Sequence, residues 1–184
     1  MLAHHAFDYI KTALSNYDGN YFEIGVYEGD AIANLAKEFT NKQVFAVDPF
    51  IEDGYTNWLT KVDKNKPLNL QRERTYQNID GISNVKLFET TSQDFVNNLT
   101  HEQIKAYNIN MVFIDGSHHY EDVMEDWILA LRLLNGGPGE IIFDDTNLEG
   151  VEKAIEEFHD ANKEKITETH IIEPNCTVFK LNSL

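Results

Sequence analysis

Apolar positions along this chain change period several times, and the changes mark an alternation of helices and strands. Leu2, Ala6, Phe7, Ile10, Ala13 and Leu14 recur at helical spacing and predict a helix over residues 2–16. Tyr21-Phe22-Glu23-Ile24 reads as a strand, Asp30 to Phe39 as a helix with Ala31, Ile32, Leu35 and Ala36 inward, and residues 43–47 as a second strand ending at Asp48-Pro49. Residues 50–84 are polar and mixed, consistent with a helix or two and connections. A third strand is expected over residues 84–89, followed by a short helix to Leu99 that Ser92 is placed to cap.

The second half continues the alternation. Met111-Val112-Phe113-Ile114 predicts a fourth strand. Val123, Trp127, Ala130, Leu131 and Leu134 predict a helix from about His119 to Leu134, and Gly136-Gly137-Pro138-Gly139 then breaks the chain. Ile141-Ile142-Phe143 is a fifth strand, and residues 148–162 form a last helix. Strands near 168–172 and 177–181 lie too close for a crossover helix, so they are expected to pair as an antiparallel hairpin. Such alternation calls for an α/β fold with a doubly wound, seven-stranded, mostly parallel sheet that binds ligands at the carboxyl ends of its strands. At 184 residues a single domain over residues 1–184 is expected.

That topology gives meaning to two acidic stops. Asp115-Gly116-Ser117-His118 follows the fourth strand and Asp144-Asp145 follows the fifth. On neighbouring parallel strands, both would deliver carboxylates to one rim of the sheet. Three acids there repel one another unless a cation sits among them, and a divalent ion with oxygen ligands is the simplest candidate.

After the first strand, Glu23-Ile24-Gly25-Val26-Tyr27-Glu28-Gly29 makes a glycine turn before a helix. It lacks the third glycine of the dinucleotide fingerprint. Glu28 and Asp30 disfavour an anion there, whereas the sulfonium and ammonium groups of S-adenosylmethionine suit those carboxylates. Asp48, ending the second strand, is placed to accept hydrogen bonds from a ribose diol. The same residues also admit a purely structural role, the glycines in a tight turn and Asp48 capping a helix.

Composition narrows the partners. Thirty-one acids against 15 Lys and Arg give a formal charge of −16, a field that repels phosphate backbones and anionic membranes, so no nucleic acid and no membrane is expected as a partner. Acidity of this kind also fits a saline or crowded host. The lone Cys176 excludes an internal disulfide and a cysteine zinc cage. No apolar run approaches the ~18–20 residues of a membrane span, and the N-terminal residues lack the basic-then-apolar order of a secretory signal. The expectation is a soluble cytoplasmic protein.

Taken in order, Phe22-Glu23-Ile24-Gly25-x-x-x-Gly29, Val47-Asp48, Thr91-Ser92-Gln93-Asp94, Phe113-Ile114-Asp115-Gly116-Ser117-His118-x-Tyr120 and Phe143-Asp144-Asp145 resemble the motifs of class I S-adenosylmethionine-dependent methyltransferases. The likeness is to the metal-dependent O-methyltransferase branch, which includes catechol-type enzymes and those acting on sugar hydroxyls of antibiotics. It implies a Rossmann-like fold and an enzyme. Glu23, Gly25 and Gly29 would line the methionine end of the cofactor, Asp48 would hold the ribose, and Ser92 and Gln93 would lie beside the adenine. Asp115, Asp144 and Asp145 would bind Mg²⁺ or a similar hard ion, for which oxygen ligands are suited. Asp115 and His118 would carry the chemistry, His118 as general base with an unperturbed pKa of ~6.5. Catechol-type relatives have lysine at that position, which points this chain toward a sugar, a glycoside or another aliphatic hydroxyl. His119 is the competing base.

Other roles stay open. Ser92 and Asp94 also read as ordinary helix-start residues, and Glu125 and Asp126 as a solvated helix face. Relatives often carry a longer N-terminal helical region over the substrate, so here a lid would come from residues 50–84 or from a partner copy in a homo-oligomer. Lys61, Lys64, Lys66, Arg72 and Arg74 make Trp58–Tyr76 the most basic stretch, either closing on an anionic substrate group or forming an exposed helix. Two further readings remain: a cofactor-binding module without catalysis, and a nicotinamide-dependent oxidoreductase.

Overall fold

A computed structural model describes residues 4–50, 68–172 and 174–183. Strands β1 (Asn20–Ile24), β2 (Val44–Val47), β3 (Val85–Phe88), β4 (Ile109–Ile114), β5 (Gly139–Phe143), β6 (Ile166–Ile172) and β7 (Cys176–Leu181) form one seven-stranded sheet in the order β3-β2-β1-β4-β5-β7-β6. β1 to β5 pair in parallel, and β7 runs antiparallel between β5 and β6. The expected doubly wound, mostly parallel sheet with a C-terminal antiparallel hairpin is what the chain forms.

The central strands β1, β2, β4 and β5 are largely apolar on both faces because helices cover both. On one side α1 (His4–Leu14) and α2 (Asp30–Glu38) bury Ile10, Leu14, Ile32 and Leu35 against Tyr21, Met111, Phe113 and Ile142. α3 (Leu68–Ile79) joins this layer through Ile79. On the other side lie α4 (Ser92–Asn98), α5 (His101–Tyr107), α6 (Tyr120–Leu134) and α7 (Glu149–Asn162). Their Phe95, Ile104, Leu129 and Phe158 pack on Phe22, Val112, Ile141 and Phe179.

Three local expectations need correction. The cap of α4 is Thr91, whose hydroxyl accepts the Asp94 N–H, and Ser92 is the first helical residue. α5 was not anticipated; Thr100 and Gln103 start it with a reciprocal capping box. Asp126 is not on a solvated face: it is 3% exposed, in the layer between α6 and the sheet.

Candidate functional site

Register brings the site together. Ile24 lies opposite Val47 on one side and Ile114 on the other, and Ile114 lies opposite Phe143. The ladder runs one residue beyond the strand ends: Gly25 N–H donates to Val47 O, Asp115 N–H to Ile24 O, and Asp144 N–H to Ile114 O, at 3.0, 2.8 and 3.0 Å. Gly25, Asp48, Asp115 and Asp144 are therefore side by side along one rim, as the strand order requires.

The glycine turn is held by backbone contacts. Gly25 has φ +86, and a Cβ there would stand 2.0 Å from Asp115 O, so only glycine fits. Gly29 has φ +79, but its close neighbour is Thr75 of α3, at 2.9 Å from a built Cβ. α3 grips this turn: Thr75 Oγ1 donates to Tyr27 O, Asn78 Nδ2 to Glu28 O, and Arg74 pairs with Glu28. Arg72 pairs with Glu89, which Tyr76 also contacts. Both arginines are thus paired with acids of the protein. Of the expected lid, residues 51–67 lie outside the described residues, Lys61, Lys64 and Lys66 among them.

Asp48 uses its carboxylate on the backbone. Oδ2 accepts from Val26 N–H at 2.7 Å and Oδ1 from Phe50 N–H at 2.8 Å, so it ties the glycine turn to the end of β2. Ser92 hydrogen-bonds the buried Asp126 carboxyl, while Gln93 is exposed on the first turn of α4. Burial is the main cause that pushes Asp126 up to about 7.

Glu23 is 2% exposed, and its Oε2 accepts a 2.7 Å bond from the buried Tyr21 hydroxyl. Burial pushes its carboxyl up to about 8; the Tyr21 bond opposes this, and Asp48 adds to it. A folded value above the ordinary 4.5 means that folding favours the protonated form. The stability this group contributes is full below about 4.5 and is lost as pH rises toward 8. Thermal midpoints of the ligand-free protein and of Glu23→Gln should therefore diverge over that window, the variant falling less. Parallel curves would refute the assignment.

The acid rim is denser. One ligand atom each from Asp115, His118 and Asp145 lie within 4.8 Å of one another. Burial, then Asp144, Glu23 and Asp145, hold the Asp115 carboxyl well above the usual range. His118 Nε2 is 2.8 Å from Asp145 Oδ2, and its side chain is 11% exposed. His119 is exposed at the N-cap of α6. Asp145 sits at φ +51, a left-handed turn that aspartate tolerates better than most residues. Hydrogen bonds from His118 and Asn175 hold its carboxyl below the usual range.

Asp144 Oδ1 accepts from Asp145 N–H and from the Cys176 thiol, both at 2.9 Å. Burial and Asp144 push that thiol far up, keeping it a hydrogen donor. Asn175, Cys176 and Asp126 were missed in the sequence because no motif contains the first two and the polarity of the third placed it outside, although its helical spacing matches Val123 and Ala130. The converging donors are two carboxylates and an imidazole, a set that fits a divalent cation, and the expected third carboxylate, Asp144, lies beside them with Oδ1 accepting from Asp145 N–H and the Cys176 thiol.

The comparisons agree with this geometry. The family model described as "Methyltransferase domain" matches residues 22–146, from β1 through the acidic pair. Uncharacterized protein R132 of Acanthamoeba polyphaga mimivirus is 28% identical over 141 residues, covering 77% of this chain; the chain spans 58% of that relative's length. The solved O-methyltransferase NovP superposes with a TM-score of 0.71 at 17% identity, over 97% of this chain and 80% of NovP. The MycE methyltransferase of mycinamycin biosynthesis, solved with Mg and SAH, gives 0.58 at 14%, over 97% of this chain and 47% of MycE. Neighbours this distant establish the fold, and the family match covers most of the chain, glycine turn and acid rim included. The chain belongs to the class I S-adenosylmethionine-dependent methyltransferases.

Proposed function

We propose that the protein is a divalent-metal-assisted O-methyltransferase that methylates a hydroxyl of a small molecule, a sugar or glycoside. The observation that carries this reading is the placement of His118 within the acid cluster, on the same rim as the glycine turn. The metal ligands would be Asp115, Asp144 and Asp145. A bound Mg²⁺ would lower the pKa of the acceptor hydroxyl and fix its oxygen. S-adenosylmethionine supplies an electrophilic methyl group on sulfur.

The chain's own residues do the rest. Glu23 would receive the ammonium end of the donor, and Asp48 the ribose, beside the backbone it already holds. Ser92 and Gln93 would border the adenine. The Asp145 carboxylate, 2.8 Å from His118 Nε2, orients the imidazole at the rim. The acceptor O–H would give its proton to the imidazole as its oxygen takes the methyl group, and the carbon–sulfur electron pair would return to the donor's sulfur, giving S-adenosylhomocysteine. The histidine supports aliphatic hydroxyls, and vicinal sugar diols suit a cation that accepts two oxygens.

The test is transfer of labelled methyl from S-adenosylmethionine to a panel of sugars, glycosides and nucleotide sugars. Turnover should disappear in chelator and return with Mg²⁺. His118→Asn should lower kcat by roughly 10²–10⁴-fold with little change in the donor KM. Transfer that survives chelator would refute the metal assignment, and an unaffected His118→Asn the base. Calorimetric binding of S-adenosylhomocysteine without turnover on any hydroxyl would favour a non-catalytic binding module.

A further inference from the structure

The tip of the β6–β7 hairpin reaches the acidic pair from the carboxyl-terminal side. Asn175 Nδ2 donates to Asp145 Oδ1 at 2.5 Å, and Cys176 Sγ lies 2.9 Å from Asp144 Oδ1. The Asn175 carbonyl accepts from both Thr146 N–H, at 2.8 Å, and Thr146 Oγ1, at 2.9 Å. Cys176 is 1% exposed. Three consecutive residues, Asp144 to Thr146, are thus fastened to two on the hairpin.

The cause is register. β5 and β7 pair antiparallel with Phe143 opposite Thr177, so the next residues outward, Asp144 and Cys176, then Asp145 and Asn175, also face one another. The restraint has something to restrain. Asp145 holds a left-handed φ of +51, and Asp144 and Asp145 share the rim with Asp115, so their negative charges push the turn apart. One hairpin donor on each carboxylate, the Cys176 thiol on Asp144 Oδ1 and the Asn175 amide on Asp145 Oδ1, opposes that repulsion and fixes how the carboxylates rotate. The other oxygen of Asp145 faces His118.

We propose that Asn175 and Cys176 are positioning residues: they set the orientation of the Asp144 and Asp145 carboxylates for cation binding, making the C-terminal hairpin part of the metal site. This rests on the metal reading of the acid rim. Donors to ligating carboxylates fix ligand orientation, and their loss commonly costs 10–100-fold in metal affinity.

Mn²⁺ binding to the full chain, followed by electron paramagnetic resonance, tests this, with S-adenosylhomocysteine calorimetry and thermal melts on the same samples. Asn175→Ala should weaken Mn²⁺ binding about 10–100-fold while its cofactor affinity stays at the wild-type value. Cys176→Ala should weaken Mn²⁺ binding in the same direction, and Cys176→Ser, which keeps a donor, should restore it. A folded Asn175→Ala that binds Mn²⁺ as the wild type does overturns the proposal and leaves the metal site standing. Wild-type protein that binds no Mn²⁺ overturns the metal reading beneath it. Should Asn175→Ala fail to fold, the cysteine pair decides: equal Mn²⁺ affinity in Cys176→Ala and Cys176→Ser overturns the proposal.

Discussion

Asp145→Asn should reduce methyl transfer by roughly 10²–10³-fold, a loss of about 3–4 kcal/mol of transition-state stabilisation. The substitution keeps the size of the side chain, and asparagine tolerates the left-handed turn at φ +51 as well as aspartate does. It removes the charge that attracts the cation and the carboxylate oxygen 2.8 Å from His118 Nε2. Cofactor affinity should change little, because Glu23, Gly25 and Asp48 sit at the ends of β1 and β2, apart from the turn after β5. The thermal midpoint should fall modestly, since the contacts from His118 and Asn175 that hold the Asp145 carboxyl below the usual range are weakened. Initial rates at saturating Mg²⁺, set beside S-adenosylhomocysteine calorimetry, read both quantities. A variant with full activity would take Asp145 out of the site.

The second large effect is structural. Gly25→Ala places a Cβ 2.0 Å from Asp115 O and 2.5 Å from Asp115 C, at a φ of +86 that alanine resists. Those are backbone atoms at the end of β4, which cannot move without breaking the ladder that joins β1 to β4. A cost above about 4 kcal/mol is expected, which lowers the thermal midpoint by roughly 8–16 °C in a chain of this size. Gly81→Ala is the comparison. It also has positive φ, +72, but no atom lies within 4 Å of the added methyl. Its cost should stay near 1–2 kcal/mol, the left-handed penalty alone. Equal melting of the two variants would mean that the contact between Gly25 and Asp115 is not what demands glycine.

Much of this was legible because the sheet is parallel. In β1, β2, β4 and β5 the carboxyl ends share one rim, so reading where each apolar run stops was enough to gather Glu23, Gly25, Asp48, Asp115 and Asp144. Polarity alone misplaced Asp126. A carboxylate flanked by Glu125 reads as solvent-facing, yet its burial is compensated by Ser92, from a helix that helical periodicity could not place against it. Asn175 and Cys176 were hidden for another reason. The hairpin was expected, but not which strand β7 would join; only the pairing with β5 turns a sequence-distant turn into the neighbour of Asp144 and Asp145. Arg72 and Arg74 read equally as cations for a ligand or as part of an exposed helix, and the fold pairs them with Glu89 and Glu28.

Arg74 of α3 is paired on the glycine turn, through Glu28, while Arg72 ties α3 to Glu89 after β3. With Thr75 and Asn78 also on that turn, α3 fixes the geometry of the donor side, much as the hairpin tip fixes the acid side. Both halves of the site are thus tied by elements that carry no catalytic motif of their own.

The central claim is that the acid rim holds a divalent cation beside the methyl donor. Anomalous diffraction from a crystal grown with Mn²⁺ and S-adenosylhomocysteine measures it most directly. One strong manganese peak is expected within roughly 2.0–2.3 Å of carboxylate oxygens from Asp115, Asp144 and Asp145, with the cofactor along the glycine turn. Cofactor density in that turn with no manganese among the three aspartates would contradict it.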